Sequence, residues 1–273
     1  MRLLRVLSLL LAAVCLAPAL LPGGGAGREA PVALVGAPAP ADLDQVPCSD
    51  PRGCPDLVLD WAKLAIQVQR TEHFEASSCE VQDGFTQPGD RQLLRFVYNT
   101  PNYGPGWLEI GAPRDHPEWF VFAPCHNHYH FREYADYRLW KPLGFVAWNQ
   151  ARLDQPDATA AEVFAAHPEL RSEFVAGLKT GFCVIDLYPA LPTGLGVAVP
   201  DPRRFQSCSN NQGLGVGWAD EYFVTTSGQY IDVTDVPTGA YVLEVEVNAE
   251  RLYEEADYTN NRAFLPTAIV AEL

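Results

Sequence analysis

Residues 123–140 read APCHNHYHFREYADYRLW and place His126, His128 and His130 at alternate positions directly behind Cys125. The chain contains six histidines, so half of them fall within five consecutive residues. On an extended strand such positions share one face. The outer α-carbons of a straight strand would lie roughly 13 Å apart. Metal–nitrogen bonds are only about 2 Å long, so the outer imidazoles would have to lean inward on opposite sides of one ion. That arrangement suits a tetragonal copper(II) centre with a position left for water. Zinc accepts imidazole as well and is the competing ion. Three polar residues on a solvated face is the simpler reading, but it leaves the concentration of a scarce residue type unexplained.

Three further stretches carry chemically capable side chains. In GLKTGFCVID, Lys179 sits where a helical pattern feeds an apolar strand. Taken alone it reads as a lysine complementing a helix C-terminus. The glycine-rich NNQGLGVGWADEYFVTTSGQYIDVTDV holds Tyr222 and Tyr230, which alone read as packing residues. In EEADYTNN, Glu255, Asp257, Asn260 and Asn261 gather hard oxygen donors of the kind calcium prefers. An Asx-rich turn satisfying its own backbone accounts for the same spacing.

These residues need elements to position them. The N-terminal MRLLRVLSLLLAAVCLAPALLPGGGAG has two arginines, an apolar run and small residues, the layout of a secretion signal over 1–27 rather than a membrane span. Cys15 raises a lipoprotein anchor, but the bulky Val14 before it favours simple secretion. Residues 28–47 are Ala/Pro-rich and read as a linker. Residues 48–273 then form one domain, with no repeat period or second linker. The net charge of −15 argues against nucleic acid and for cationic partners, although acidity also serves solubility. Cys48, Cys54, Cys79, Cys125, Cys183 and Cys208 make an even set in an exported chain, which implies three disulfides. Period-two alternation marks strands at 91–100, 118–131, 133–140, 180–189 and 241–248. The segment 56–69 opens the domain as a strand with irregular continuation. Residues 157–179, alanine-rich and broken only by His167-Pro168, read as a helix. The fold expected is mainly β: an antiparallel, sandwich-like domain with loops and one helical insertion.

At this point the chain resembles the lysyl oxidase family. CPDLVLD, QLLRF, CHNHYHF, LKTGFCVID, QGLGVGWADEYF and YIDVTDVPTGAYVLEVEVN…EEADYTNN follow the order of that family's catalytic domain, across most of residues 54–262. The resemblance implies a secreted amine oxidase acting on lysyl or other primary amines with dioxygen and giving an aldehyde, ammonia and hydrogen peroxide. It assigns copper(II) to His126, His128 and His130, and a lysine tyrosylquinone cofactor to Lys179 and Tyr222, Tyr222 being selected over Tyr230. It implies calcium held by Asp56, the Leu57 carbonyl, Glu255, Asp257, Asn260 and Asn261. It also pairs Cys79 with Cys125 and Cys183 with Cys208, leaving Cys48 and Cys54 for a local bridge. Asp136, a few positions past the histidines, is the nearest candidate for a catalytic base. The residue before the lysine is Leu178, where the family often has histidine. A non-enzymatic, metal-binding β-sandwich adhesion module is the alternative, since VPTGAYVLEVEVN…DYTNN also resembles such domains, and that reading needs no quinone.

Overall fold

The computed structural model describes residues 45–178, 181–190 and 200–271. The secretion signal, nearly all of the linker and Lys179 lie outside the described residues.

The architecture is mainly β, built from antiparallel sheets with few helices. Its largest sheet orders Arg262–Ile269, Gly239–Val247, Ala135–Trp140 and Phe174–Leu178 side by side. The alternation in YVLEVEV decides which way each side chain faces. Leu243, Val245 and Val247 join Tyr137 and Leu139 in the main core. That core continues into Leu94 and Phe96 of strand Gly89–Phe96, Tyr98, and Ile231 of strand Tyr230–Asp232. Phe96 meets Tyr137 edge-on at 4.7 Å between ring centres. Gly89–Phe96 lies between Gln67–Phe74 and Tyr230–Asp232, and Trp218–Tyr222 lies between Tyr98–Pro101 and Tyr188–Pro189.

The opposite face of the large sheet carries Glu244, Glu246, Arg138 and Trp140, paired across strands as Glu244↔Arg138 and Val242↔Trp140. Two helices cover it, Pro142–Asp154 and Ala160–Ala166. The first starts with proline at a position where the missing N–H costs nothing. It buries Phe145, Trp148 and Ala151 at helical spacing. The second is closed by a capping box, Thr159 accepting from the Glu162 N–H and Glu162 accepting from the Thr159 N–H. Trp140, Trp148 and Phe164 stack between helices and sheet. Beneath them Glu244 accepts from the indole N–H groups of Trp140 at 2.8 Å and Trp148 at 3.0 Å and pairs with Arg262. Burial alone would raise this carboxyl, but Arg262 and Arg138 hold it down at about 2.

Four sequence expectations need correction. The strand expected at 180–189 is, over its described residues, only the short strand Tyr188–Pro189 and an isolated bridge at Phe182. Residues 118–131 are not one strand but a hairpin, Phe120–Ala123 turning back into His128–Phe131. The helical reading of 157–179 holds only to Ala166. After Pro168 comes a 3₁₀ turn, Pro168–Ser172, and then the edge strand Phe174–Leu178. Gly177 makes that strand possible, because a Cβ there would lie 2.2 Å from the Tyr137 carbonyl oxygen. The opening segment 56–69 contains a short helix, Trp61–Leu64, capped by Asp60, rather than a continuous strand. Among the described residues no helix is long and apolar enough to cross a membrane.

Glu244 generates a pH-dependent expectation. Its folded value of about 2 lies below that of an unfolded glutamate, about 4.3. Its contribution is therefore present above pH ~4.3 and lost as pH falls through 2. Glu244→Gln is expected to cost about 3–5 kcal/mol at neutral pH by removing the carboxylate that pairs with Arg262 and, with Glu246, neutralises the buried Arg138. In urea unfolding the gap between variant and parent narrows toward pH 2; a gap independent of pH refutes the assignment.

Candidate metal and cofactor site

The histidines depend on the hairpin. Pro124 starts a turn in which the His126 N–H donates to the Ala123 carbonyl at 3.1 Å, and Asn127 takes the left-handed conformation that closes it, φ 53°. Asparagine tolerates that region better than most residues. His126 therefore sits in the turn, while His128 and His130 share a face of the returning strand. The straight-strand geometry expected from HxHxH is replaced by a curl. His128 Nε2 lies 3.0 Å from His130 Nε2, and His126 Nδ1 lies 3.5 Å from His130 Nε2. Two nitrogens bound to one ion at about 2.05 Å have these spacings when the N–metal–N angles are roughly 95° and 120°. Ligand atoms from all three rings lie within 4.8 Å of one another, and all three residues are half-buried. The donor set and its convergence fit a single transition-metal ion.

Asp83, which the sequence reading did not single out, faces His126, its Oδ2 3.8 Å from Nε2. That oxygen is buried and has no hydrogen-bond partner. The Cys79–Cys125 disulfide ties the short helix Cys79–Gln82, which Asp83 terminates, to the histidine turn. Cys48–Cys54 and Cys183–Cys208 are joined as well, so the three bridges are the pairs the family resemblance implies.

Tyr222 ends strand Trp218–Tyr222, opposite Tyr98. Its hydroxyl donates to the Cys183 carbonyl at 2.9 Å, and its ring meets Phe182 edge-on at 5.1 Å. Burial pushes the phenol well above its usual range, and the buried Asp220 carboxylate two residues earlier adds to the rise. Phe182 in turn exchanges both backbone hydrogen bonds with Phe131, at 2.7 and 3.0 Å. A Cβ on Gly181 would touch the His130 Cβ at 3.4 Å. Residues 181–183 thus lie between the histidine strand and Tyr222. Tyr230 packs elsewhere, with Phe74 and Leu93 beneath the Arg95 guanidinium.

Gln212, also missed from sequence, fastens this junction. Fully buried, it donates to the Tyr129 carbonyl at 2.8 Å and the Cys208 carbonyl at 2.7 Å. It accepts from the Val184 N–H at 3.0 Å. Asp136, by contrast, points away from the histidines. It alternates with Ala135 and Tyr137 of the core, and pairs with Arg138 on the helix-covered face. Its role there is in the buried ion network, not as a base near Tyr222.

The expected calcium residues fall into two neighbouring groups. Asn260 Nδ2 donates to Asp56 at 2.8 Å, and burial raises the Asp56 carboxyl, with Asp257 adding repulsion. Glu255 accepts from the Leu57 N–H at 2.8 Å, from Asn248 at 2.8 Å and from Asn261 at 2.7 Å. Burial pushes its carboxyl up to about 8. Asp257 accepts from its own loop at Thr259. The amide oxygens of Asn260 and Asn261 are buried without partners. Orphaned oxygens beside carboxyls penalised by burial are chemically suited to a hard cation.

The β domain thus brings a histidine triplet and a half-buried tyrosine to one junction. The lysyl oxidase family profile matches residues 160–268, which take in Lys179, Tyr222 and the 255–261 loop. Human lysyl oxidase homolog 1 is 30% identical over 228 residues, covering 79% of this chain and 33% of the relative. Rat protein-lysine 6-oxidase is 33% identical over 221 residues, covering 77% of this chain and 45% of the relative. The chain belongs to the lysyl oxidase family. It spans about a third to a half of the length of these relatives.

Truncating Gln212 tests the junction. Gln212→Ala leaves the Val184 N–H buried without this partner and removes the amide donor from the half-buried Tyr129 and Cys208 carbonyls, at about 1–3 kcal/mol for an unsatisfied buried group. A loss of at least ~2 kcal/mol in denaturant unfolding is expected. A loss under ~0.5 kcal/mol would show that water replaces the side chain and that the clamp is dispensable.

Proposed function

We propose that the protein is a secreted, copper- and quinone-dependent amine oxidase. It converts a lysyl side chain or other primary amine, with dioxygen and water, to the aldehyde, ammonia and hydrogen peroxide. The observation that carries this reading is the junction at residues 181–183. There the Tyr222 hydroxyl rests on Cys183, and Phe182 is paired with Phe131 beside His130. Lys179 precedes Gly181 by two residues in the sequence. The family match supports the same assignment.

In this reading His126, His128 and His130 hold copper(II), and Lys179 and Tyr222 are the precursors of lysine tyrosylquinone. Copper and dioxygen supply the oxidation that makes the Tyr222 ring a quinone able to accept electrons from an amine. The chain's own part is positional. The Cys183 carbonyl fixes the phenol oxygen, while Phe182 and Tyr98 pack against the ring. The raised phenol stays protonated at neutral pH. The Cys183–Cys208 bridge and Gln212 hold the segment that follows Lys179. A cationic amine is drawn to a chain of net charge −15. Three disulfides suit an oxidising compartment, in keeping with residues 1–27 as a secretion signal.

Substitution separates these roles. His128→Ala is expected to abolish copper retention and quinone formation together; a normal quinone in the metal-free variant sinks the metal assignment. Lys179→Arg keeps the charge but offers no primary amine, and Tyr222→Phe removes the phenol. Both are expected to fold, bind copper and produce no peroxide from amines, with Tyr230→Phe active as control. Peptide mapping of copper-loaded protein is expected to find Lys179 joined to Tyr222, and activity without that cross-link rejects the cofactor.

In this reading Asp56, the Leu57 carbonyl, Glu255, Asp257, Asn260 and Asn261 would hold calcium, which would tie the start of the domain to its last loop. A ligand that binds only the folded state raises the melting temperature in proportion to the logarithm of its concentration. Calcium is expected to do so for the parent and not for Asp56→Asn. Equal shifts in both would remove Asp56 from the site.

A further inference from the structure

His126 differs from its two partners in where it stands. His128 and His130 rise from a strand and turn their far nitrogens, Nε2, toward each other at 3.0 Å. His126 lies in the turn and offers the nitrogen nearer its own backbone, Nδ1, at 3.5 Å from His130 Nε2. Its Nε2 points the other way, toward Asp83 Oδ2 at 3.8 Å. That carboxylate oxygen is buried with no hydrogen-bond partner, although buried polar atoms are nearly always paired. The helix bearing Asp83 is tied by Cys79–Cys125 to the residue next to His126. A neutral imidazole has one N–H and one lone pair, so whichever nitrogen donates to a carboxylate leaves the other for a metal.

We propose that Asp83 is a positioning residue that accepts the His126 Nε2–H and so commits this histidine to bind metal through Nδ1, while His128 and His130 bind through Nε2. The inference rests on the reading of the triplet as a metal site. A movement of less than ~1 Å brings the 3.8 Å contact into hydrogen-bond range. The carboxylate then fixes the ring orientation and increases its basicity, as carboxylate partners of metal-bound histidines do. Asp83 touches neither substrate nor the reacting ring; it acts through His126.

Zinc(II) is the probe, being diamagnetic and bound by imidazole. Long-range ¹H–¹⁵N spectra of the full folded domain loaded with zinc report which ring nitrogen carries the metal. The expected result is His126 bound at Nδ1 with a protonated Nε2, and the other two histidines bound at Nε2. Asp83→Ala is expected to weaken zinc binding roughly tenfold or more, and to remove the single His126 pattern. Asp83→Asn, which retains an accepting oxygen, is expected to keep the pattern with a smaller loss of affinity. A merely structural Asp83 would lower thermal stability without moving the ring-nitrogen signals. Zinc on His126 Nε2, or unchanged affinity and signals in Asp83→Ala, overturns the inference while the metal site stands. No zinc binding by the parent protein overturns both.

Discussion

Two backbone hydrogen bonds between Phe131 and Phe182 hold the site together. They are isolated from any long ladder, yet they join the last residue of the histidine hairpin to the segment on which Tyr222 rests. A single residue pair would open easily if nothing supported it. Phe131 and Phe182 are almost wholly buried, at 1% and 0% exposure, so opening the pair means exposing two aromatic rings. Gln212 and the Cys183–Cys208 bridge close the same junction from the other side. The histidines and Tyr222 are thus carried on separate elements that meet through residues 181–183, whose backbone is locked directly to the histidine strand.

The large sheet serves two purposes with its two faces. Its inner face supplies Tyr137, which packs on Phe182 and carries the junction into the main core. Its outer face buries charges under the stacked ring system of the helical layer. Replacing such ions with apolar residues is often neutral or stabilising elsewhere, so their presence is weak evidence of stability for its own sake. Here the pairing of Glu244 with Arg138 and Arg262, and of Glu246 with Arg138 and Arg152, links both helix and strand to one register. A one-residue slip would reverse every face. The network therefore fixes the orientation that leaves Tyr137 facing the site.

Much of this was legible in the sequence, and the failures have physical causes. The strand that alternates most cleanly, 241–248, is buried on both faces, with Leu243, Val245 and Val247 toward the main core and Glu244 and Glu246 under the helices, so its alternation reports which face is which. The hairpin at 120–131 escaped because apolar residues run up to Ala123 and polar-aromatic ones resume at His128, so alternation continues across the turn. Pro124 and Asn127 were the available signals. The helix Pro142–Asp154 was hidden for another reason: Leu143, Val146 and Leu153 are exposed at 84%, 55% and 59%, which blurs its apolar stripe. Asp83 and Gln212 could not be found by spacing. Each matters through a contact across more than forty or eighty residues, to His126 and to Tyr129 respectively. The choice of Tyr222 over Tyr230 rested on the resemblance alone, since residue type and neighbouring glycines left it open.

The curl of the hairpin changes how the three histidine donors converge. In a straight strand the outer imidazoles would approach from opposite sides and the three nitrogens would span the ion. With His126 drawn back by the turn, the nitrogens instead form a triangle, each within 4.8 Å of the others. The convergence of donors from a turn and a strand therefore depends on the hairpin and not on the HxHxH spacing alone. Residues 181–183 border the His130 end of that triangle, through the contact of Gly181 with His130. Glycine at 181 keeps this border thin, since any larger side chain would build toward the histidine. The turn and the glycine together bring residues 181–183 against the histidine strand, an arrangement that neither HxHxH nor KTGFC specifies alone.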